Sequence, residues 1–170
     1  MPSIIVPTQP TFEDEMNFRI RGLDPQPFAA FFAMTDAQLA ARRASRQVVD
    51  AEGAYPCRVT LADAPPGTPV ILLNYEHQAG DTPYRSSHAI FVSPAREAFD
   101  AVGAVPPALR ARLLSIRAFD ANDLMVDADV VEGRDAERLI ARLLEREDVS
   151  YLHAHFARRG CFAARIDRAF

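Results

Sequence analysis

The four histidines of the chain fall in two short segments, His77 and His88 on either side of one polar loop, and His153 and His155 two residues apart near the C-terminus. On an extended strand, positions two apart point to the same face. Tyr151, His153 and His155 therefore share a face, with the two imidazoles roughly 7 Å apart and able to converge on one atom or ligand. A His-x-His pair on a strand is a metal-ligand spacing, and Cys161, Cys57 or His77 would supply the third and fourth positions for zinc. The same pair could serve as acid and base without a metal. Histidines hydrogen-bonded into a half-buried strand face would need no ligand at all.

Both cysteines have arginine beside them. Cys161 follows Gly160 at a turn with Arg158 and Arg159 just before it, and Cys57 stands between Pro56 and Arg58. A guanidinium close to sulfur favours the nucleophilic thiolate, whereas a thiol buried in hydrocarbon is inert. In Tyr84-Arg85-Ser86-Ser87-His88 a guanidinium, hydroxyls and an imidazole crowd a strand entry, as an anion-binding corner requires. Asp127 and Asp129 share a strand face and form either a carboxylate pair for a hard cation or a solvated face with Arg117 opposite. Arg134, Arg138 and Arg142 form a row at helical spacing that repels itself unless acids or a partner answer it.

Lysine is absent and all 19 basic residues are arginine, so a Schiff-base lysine is excluded and every side-chain cation is a fork that can hold a carboxylate or phosphate bidentately. The balance of 23 acidic to 19 basic groups has the wrong sign for a protein that binds by neutralising phosphates, and nucleic acid is not an expected partner. No glycine-rich phosphate loop, Gly-x-Ser-x-Gly elbow, Cys-x-x-Cys or His-Glu-x-x-His is present, so the common cofactor folds are disfavoured and no nucleotide cofactor is expected, while the histidine spacing admits a divalent metal without specifying a cofactor. With 170 residues, of which 49% are hydrophobic and 25% charged, one domain with its own core is expected, needing no disulfide staples. Neither a signal peptide nor a membrane span is expected, and two distant cysteines fit a cytoplasmic protein with free thiols.

The elements that must position these groups follow from periodicity and boundary signals. Residues 1–16 are expected to form a flexible arm, with a strand beginning at Phe18 to Arg21. Thr35 and Gln38 form a capping box for a helix over 35–43. Strands are expected at 46–51 and 57–61. The run Val70 to Leu73 is apolar on both faces and suits a central strand, followed by a polar loop and a second strand at 89–92. Ser93, Pro94, Glu97 and Gly103 carry the boundary signals of a helix over 94–102. Residues 113–119 and 124–131 form a hairpin, 135–147 an amphipathic helix, and 149–156 with 161–168 a closing hairpin around Gly160. Strands that arrive as hairpins, with two or three packed helices between them, give an α+β fold with a largely antiparallel sheet.

Several strings occur together in order: Phe18-Arg-Ile-Arg-Gly-Leu-Asp24, Tyr55-Pro-Cys-Arg58, Leu73-Asn-Tyr-Glu-His77, Tyr84-Arg-Ser-Ser87 with Ile90-Phe-Val92, and His153-x-His155 through Gly160-Cys161. Together they resemble the bacterial family catalogued as domain of unknown function 1203, over nearly the whole chain. The resemblance implies a small soluble bacterial protein and brings no activity, substrate or cofactor.

The functional expectation is a small-molecule site where the loop after Glu76 meets the final hairpin. Arg58, Tyr84, Arg85, Ser86 and Arg158 would hold an anionic ligand, with Arg58 and Arg85 gripping its charge. His153, His155 and Cys161 would act in catalysis, or His153 and His155 as metal ligands. The competing expectation is a non-catalytic module, forming a homodimer, whose histidines satisfy the interior.

Overall fold

The computed structural model describes residues 17–169, so the expected N-terminal arm lies outside the described residues. Two antiparallel sheets make up the architecture. The larger has the order β5-β1-β9-β8-β6-β7, built from β1 (Phe18–Arg21), β5 (Asp100–Val102), β6 (Leu113–Phe119), β7 (Met125–Glu132), β8 (Tyr151–Phe156) and β9 (Phe162–Arg168). The smaller has the order β2-β3-β4, from β2 (Ala44–Val48), β3 (Pro69–Gln78) and β4 (Ser86–Val92). Among the described residues four short α-helices accompany them: α1 (Gln26–Ala29), α2 (Asp36–Ala41), α3 (Pro107–Arg110) and α4 (Ala136–Leu144). The fold is α+β, and no helix among the described residues is long and apolar enough to cross a membrane.

Each face of the large sheet has its own cover. Leu152 and Ala154 of β8, with Leu114, Ile116 and Ala118 of β6, pack on the buried stripe of α4 formed by Leu139, Ile140, Leu143 and Leu144. Burial of each of those helix side chains is worth about 1.5–3 kcal/mol. Alternation sends Tyr151, His153 and His155 to the opposite face, where β3 of the small sheet lies across them. All six residues of β8 are consequently buried.

Local signals account for much of this. Thr35 accepts from the Gln38 backbone while the Gln38 side chain reaches back to the Thr35 N–H, completing the capping box of α2. Gly160 closes the β8–β9 hairpin at φ +75°, in the left-handed region that glycine enters freely.

Three expectations are corrected. Residues 57–61 are a tight turn, with Leu61 N–H bonded to Cys57 O (3.0 Å) and Cys57 N–H to Ala62 O (3.0 Å). Their alternation arises because Val59 enters the core under the small sheet while Leu61 enters the core under α4. Residues 94–102 form no helix, because Asp100–Val102 pairs with β1 in the register Ile20↔Ala101 and Arg19 grips Asp100 from the neighbouring strand. Gly103 thus ends a strand, its N–H bonded to Phe18 O at 2.8 Å. Finally, β3 continues past the apolar run to Gln78, so His77, which the sequence places at the edge of the polar loop, lies within the strand.

Candidate functional site

Register decides what surrounds the histidine pair. On β8, His153 stands opposite Arg117 of β6 and Arg165 of β9, and His155 opposite Ser115 and Phe162. From the small sheet, the odd positions of β3 point the same way as buried Leu73, which carries Tyr75 and His77 toward β8. The His77 ring centroid lies 4.9 Å from that of His155 and 6.0 Å from that of His153. One ring nitrogen from each of the three lies within 4.8 Å of the others. Phe162 stacks on His77 at 5.3 Å and Phe119 leans on His153 at 5.0 Å, so aromatic rings wall the cluster.

The nitrogens are unspent. His77 Nδ1, His153 Nδ1 and His155 Nε2 are buried with no hydrogen-bond partner among the described residues. His155 Nδ1 faces the Gly160 carbonyl at 3.0 Å. A carbonyl only accepts, so Nδ1 carries the proton and Nε2 keeps its lone pair pointing inward. The other nitrogen of His77, Nε2, is 3.4 Å from the Ser86 hydroxyl.

Burial sets the protonation state. It pushes His77 down to about 4, with Arg117 and His88 adding to the effect. Burial likewise pushes His153 down to about 3, aided by His155, His77, Arg165 and Arg117. His155 falls to about 3 for the same reason, with the Gly160 carbonyl opposing and Arg117 reinforcing. All three are neutral at pH 7, the form in which imidazole binds metal. Three neutral donors, with no carboxylate in the cluster among the described residues, make a ligand set that suits zinc and its neighbours and leaves a coordination position free. Next to them Tyr151 donates its hydroxyl to Asp123 and accepts from Gln78 Nε2 (2.8 Å). Burial and the Asp123 bond push Tyr151 up to about 12, so it stays protonated.

The thiol and its arginine lie behind this cluster. Arg58 is 1% exposed, and it donates to Phe162 O (2.7 Å), Pro56 O (2.5 Å) and Cys161 Sγ (3.1 Å), with its guanidinium over the Phe156 ring. Burial lowers Arg58 to about 10, against the raising influence of Cys161, and it remains a cation at neutral pH. Cys57 Sγ accepts from the Ser93 N–H (3.2 Å) and the Val59 N–H (3.4 Å). Burial pushes the Cys57 thiol up, but hydrogen bonds from Ser93 and Thr60 outweigh it and leave it below the ordinary value.

The expected site residues thus divide. His153, His155 and Ser86 come together, with His77 as the third donor. Arg58, Cys161 and Arg158 line a separate cleft. Cys161 is committed to Arg58 and does not join the histidines, and Cys57 does not either. Arg85 joins neither group: just before β4, it is exposed and paired with Glu76 at 2.7 Å, and it is not among the residues that line the Arg58 cleft. Tyr84 is 40% exposed, with its ring edge-on to that of Phe119. His88 is exposed on β4. Asp127 and Asp129 face α4 and hold Arg146 and Arg142, so one member of the arginine row is answered from β7 and both carboxylates are already paired. The sequence reading missed Arg117 as a neighbour of the histidines. It is half-buried, in no ion pair with a described residue, and its signal lies in the β6–β8 register, which no single strand reveals.

Residues 54–168 match the family model described as protein of unknown function (DUF1203). No curated protein and no solved structure matches the chain.

Proposed function

The chain belongs to the DUF1203 family, whose description carries no activity, and from the geometry of this chain we propose that it is a metalloprotein in which His77, His153 and His155 hold one divalent transition-metal ion of the zinc class. The observation that carries this reading is the set of three buried ring nitrogens without hydrogen-bond partners. Buried polar atoms are ordinarily paired, and each one left orphaned costs about 1–3 kcal/mol unless another group meets its lone pair or proton. That cost weighs against histidines that merely satisfy the interior.

Ligand nitrogens at roughly 2.0–2.1 Å from a tetrahedral ion stand about 3.3 Å apart, so the cluster closes onto an ion by a small inward movement of the rings. With three protein ligands, the ion keeps a position for water or substrate. There it would acidify a bound water or polarise a carbonyl of a small molecule. The neutral donor set leaves the ion's double charge uncompensated, and Arg117 adds to it. An anionic ligand or hydroxide in the open position supplies the balance.

The test is elemental analysis of protein purified without chelator, alongside His153→Ala and His155→Ala. Near one equivalent of a single transition metal in the parent, lost in both variants while they remain folded, is the expected result. Metal-free parent protein that takes up no zinc when it is supplied would overturn the reading.

A further inference from the structure

Away from the histidines, a cleft of about 820 Å³ opens between the loop before Arg58, strand β4 and the turn of the closing hairpin. Its volume is that of a small-molecule site. Its described lining residues include four arginines, Arg58, Arg112, Arg158 and Arg159, and one acidic residue, Glu132. Arg112 is neutralised by Asp63 at 2.6 Å. Arg58, Arg158 and Arg159 are in no ion pair with a described residue. A fully buried guanidinium without a carboxylate is costly, and Arg58 is retained with only carbonyls, a thiol and the Phe156 face around it. Arg112 lies over the same ring, 5.1 Å from its centroid, so two cations flank one aromatic residue. The lining also carries the apolar side chains of Leu72, Tyr55 and Phe91, the last two ring-to-ring at 5.0 Å.

We propose that this cleft is a second, independent ligand site, and that it takes a small molecule with an oxyanionic head, carboxylate or phosphate, on an apolar or aromatic body. The head sits among Arg158, Arg159 and the Arg58 end of the cleft. The body lies on the Tyr55–Phe91 wall, and the Cys161 thiol is at the floor, 6% exposed. Surplus positive charge in a walled cleft attracts an anion and holds it more strongly than the same charges in open water. The planar forks of arginine suit either head group.

Isothermal titration calorimetry with phenyl phosphate, benzoate, inorganic phosphate and phenol tests the proposal and separates the two heads. Phenyl phosphate or benzoate is expected to bind with one-to-one stoichiometry, more tightly than inorganic phosphate, while neutral phenol does not bind. Replacing the exposed pair, Arg158→Ala with Arg159→Ala, is expected to weaken the bound probe about tenfold or more without lowering the melting temperature of the free protein. Alkylation of Cys161 by iodoacetamide is expected to slow when the probe is bound. Absence of binding by both ring-bearing anions, equal affinity for phosphate and phenyl phosphate, or unchanged affinity in the double variant would overturn it. Repeating the titration on His155→Ala keeps this test separate from the metal reading, since the cleft contains none of the three clustered histidines and binding there is expected to survive.

Discussion

His155 shows how one side chain is specified from several directions. Its place on β8 turns it inward, Gly160 O accepts a hydrogen bond from its Nδ1–H, and burial keeps the ring neutral. The unfolded chain protonates its histidines near pH 6.5, whereas His77, His153 and His155 resist protonation until about pH 4, 3 and 3. Between those limits the unfolded state holds more protons, so the metal-free protein is most stable above pH 6.5 and loses stability as the pH falls toward 3 to 4. With three such groups the slope approaches roughly 4 kcal/mol per pH unit near pH 5. Chemical denaturation of the metal-free protein from pH 7.5 to 4.5 measures it, and His153→Phe is expected to flatten the slope by about a third. Arg58 makes the opposite case, a cation whose partners are mostly backbone. Arg58→Met leaves the Phe162 and Pro56 carbonyls without their donor and is expected to cost about 2–4 kcal/mol in urea denaturation.

Elements defined by local signals were legible in the sequence: the capping box of α2, the Asp120–Asp123 hairpin turn, the period of α4 and the glycine of the closing hairpin. Segments shaped by distant partners were not. Residues 57–61 and 94–102 carry respectable strand and helix patterns, yet backbone bonds tie them to each other and to the residues that follow β1: Phe99 N–H to Val59 O, Gly22 N–H to Phe99 O and Leu23 N–H to Arg58 O. A Cβ on Gly22 would stand 1.9 Å from Val59 O, so Gly22→Ala should cost several kcal/mol or prevent folding, read from soluble yield and melting temperature. Gly160→Ala meets open space and pays only for its positive φ, about 1–2 kcal/mol in the same assay. The Arg142–Asp129 pair between α4 and β7 is more than half exposed on both sides, and Arg142→Ala should change stability by less than about 1 kcal/mol.

At the scale of the molecule, the functional geometry comes from laying one sheet across another. Period-two alternation put His153 and His155 on one face, and that much was readable. The third donor depends on where β3 crosses β8, and the separation of Arg58 from Arg85 depends on the path of the loop that carries Arg58, neither of which any local pattern encodes. The segment Gly160-Cys161-Phe162 joins the two regions: Gly160 O orients His155, Cys161 Sγ meets Arg58, and the Phe162 ring stacks on His77. The measurement that tests the central claim most directly is long-range nitrogen NMR of the histidine rings during titration of metal-free protein with zinc. The account predicts that at one equivalent a ring nitrogen of His77, of His153 and of His155 moves to its metal-bound position together, with Nε2 the bound atom of His155, while His88 does not respond. Rings that stay unchanged at stoichiometric zinc, or a response confined to His88, would contradict it.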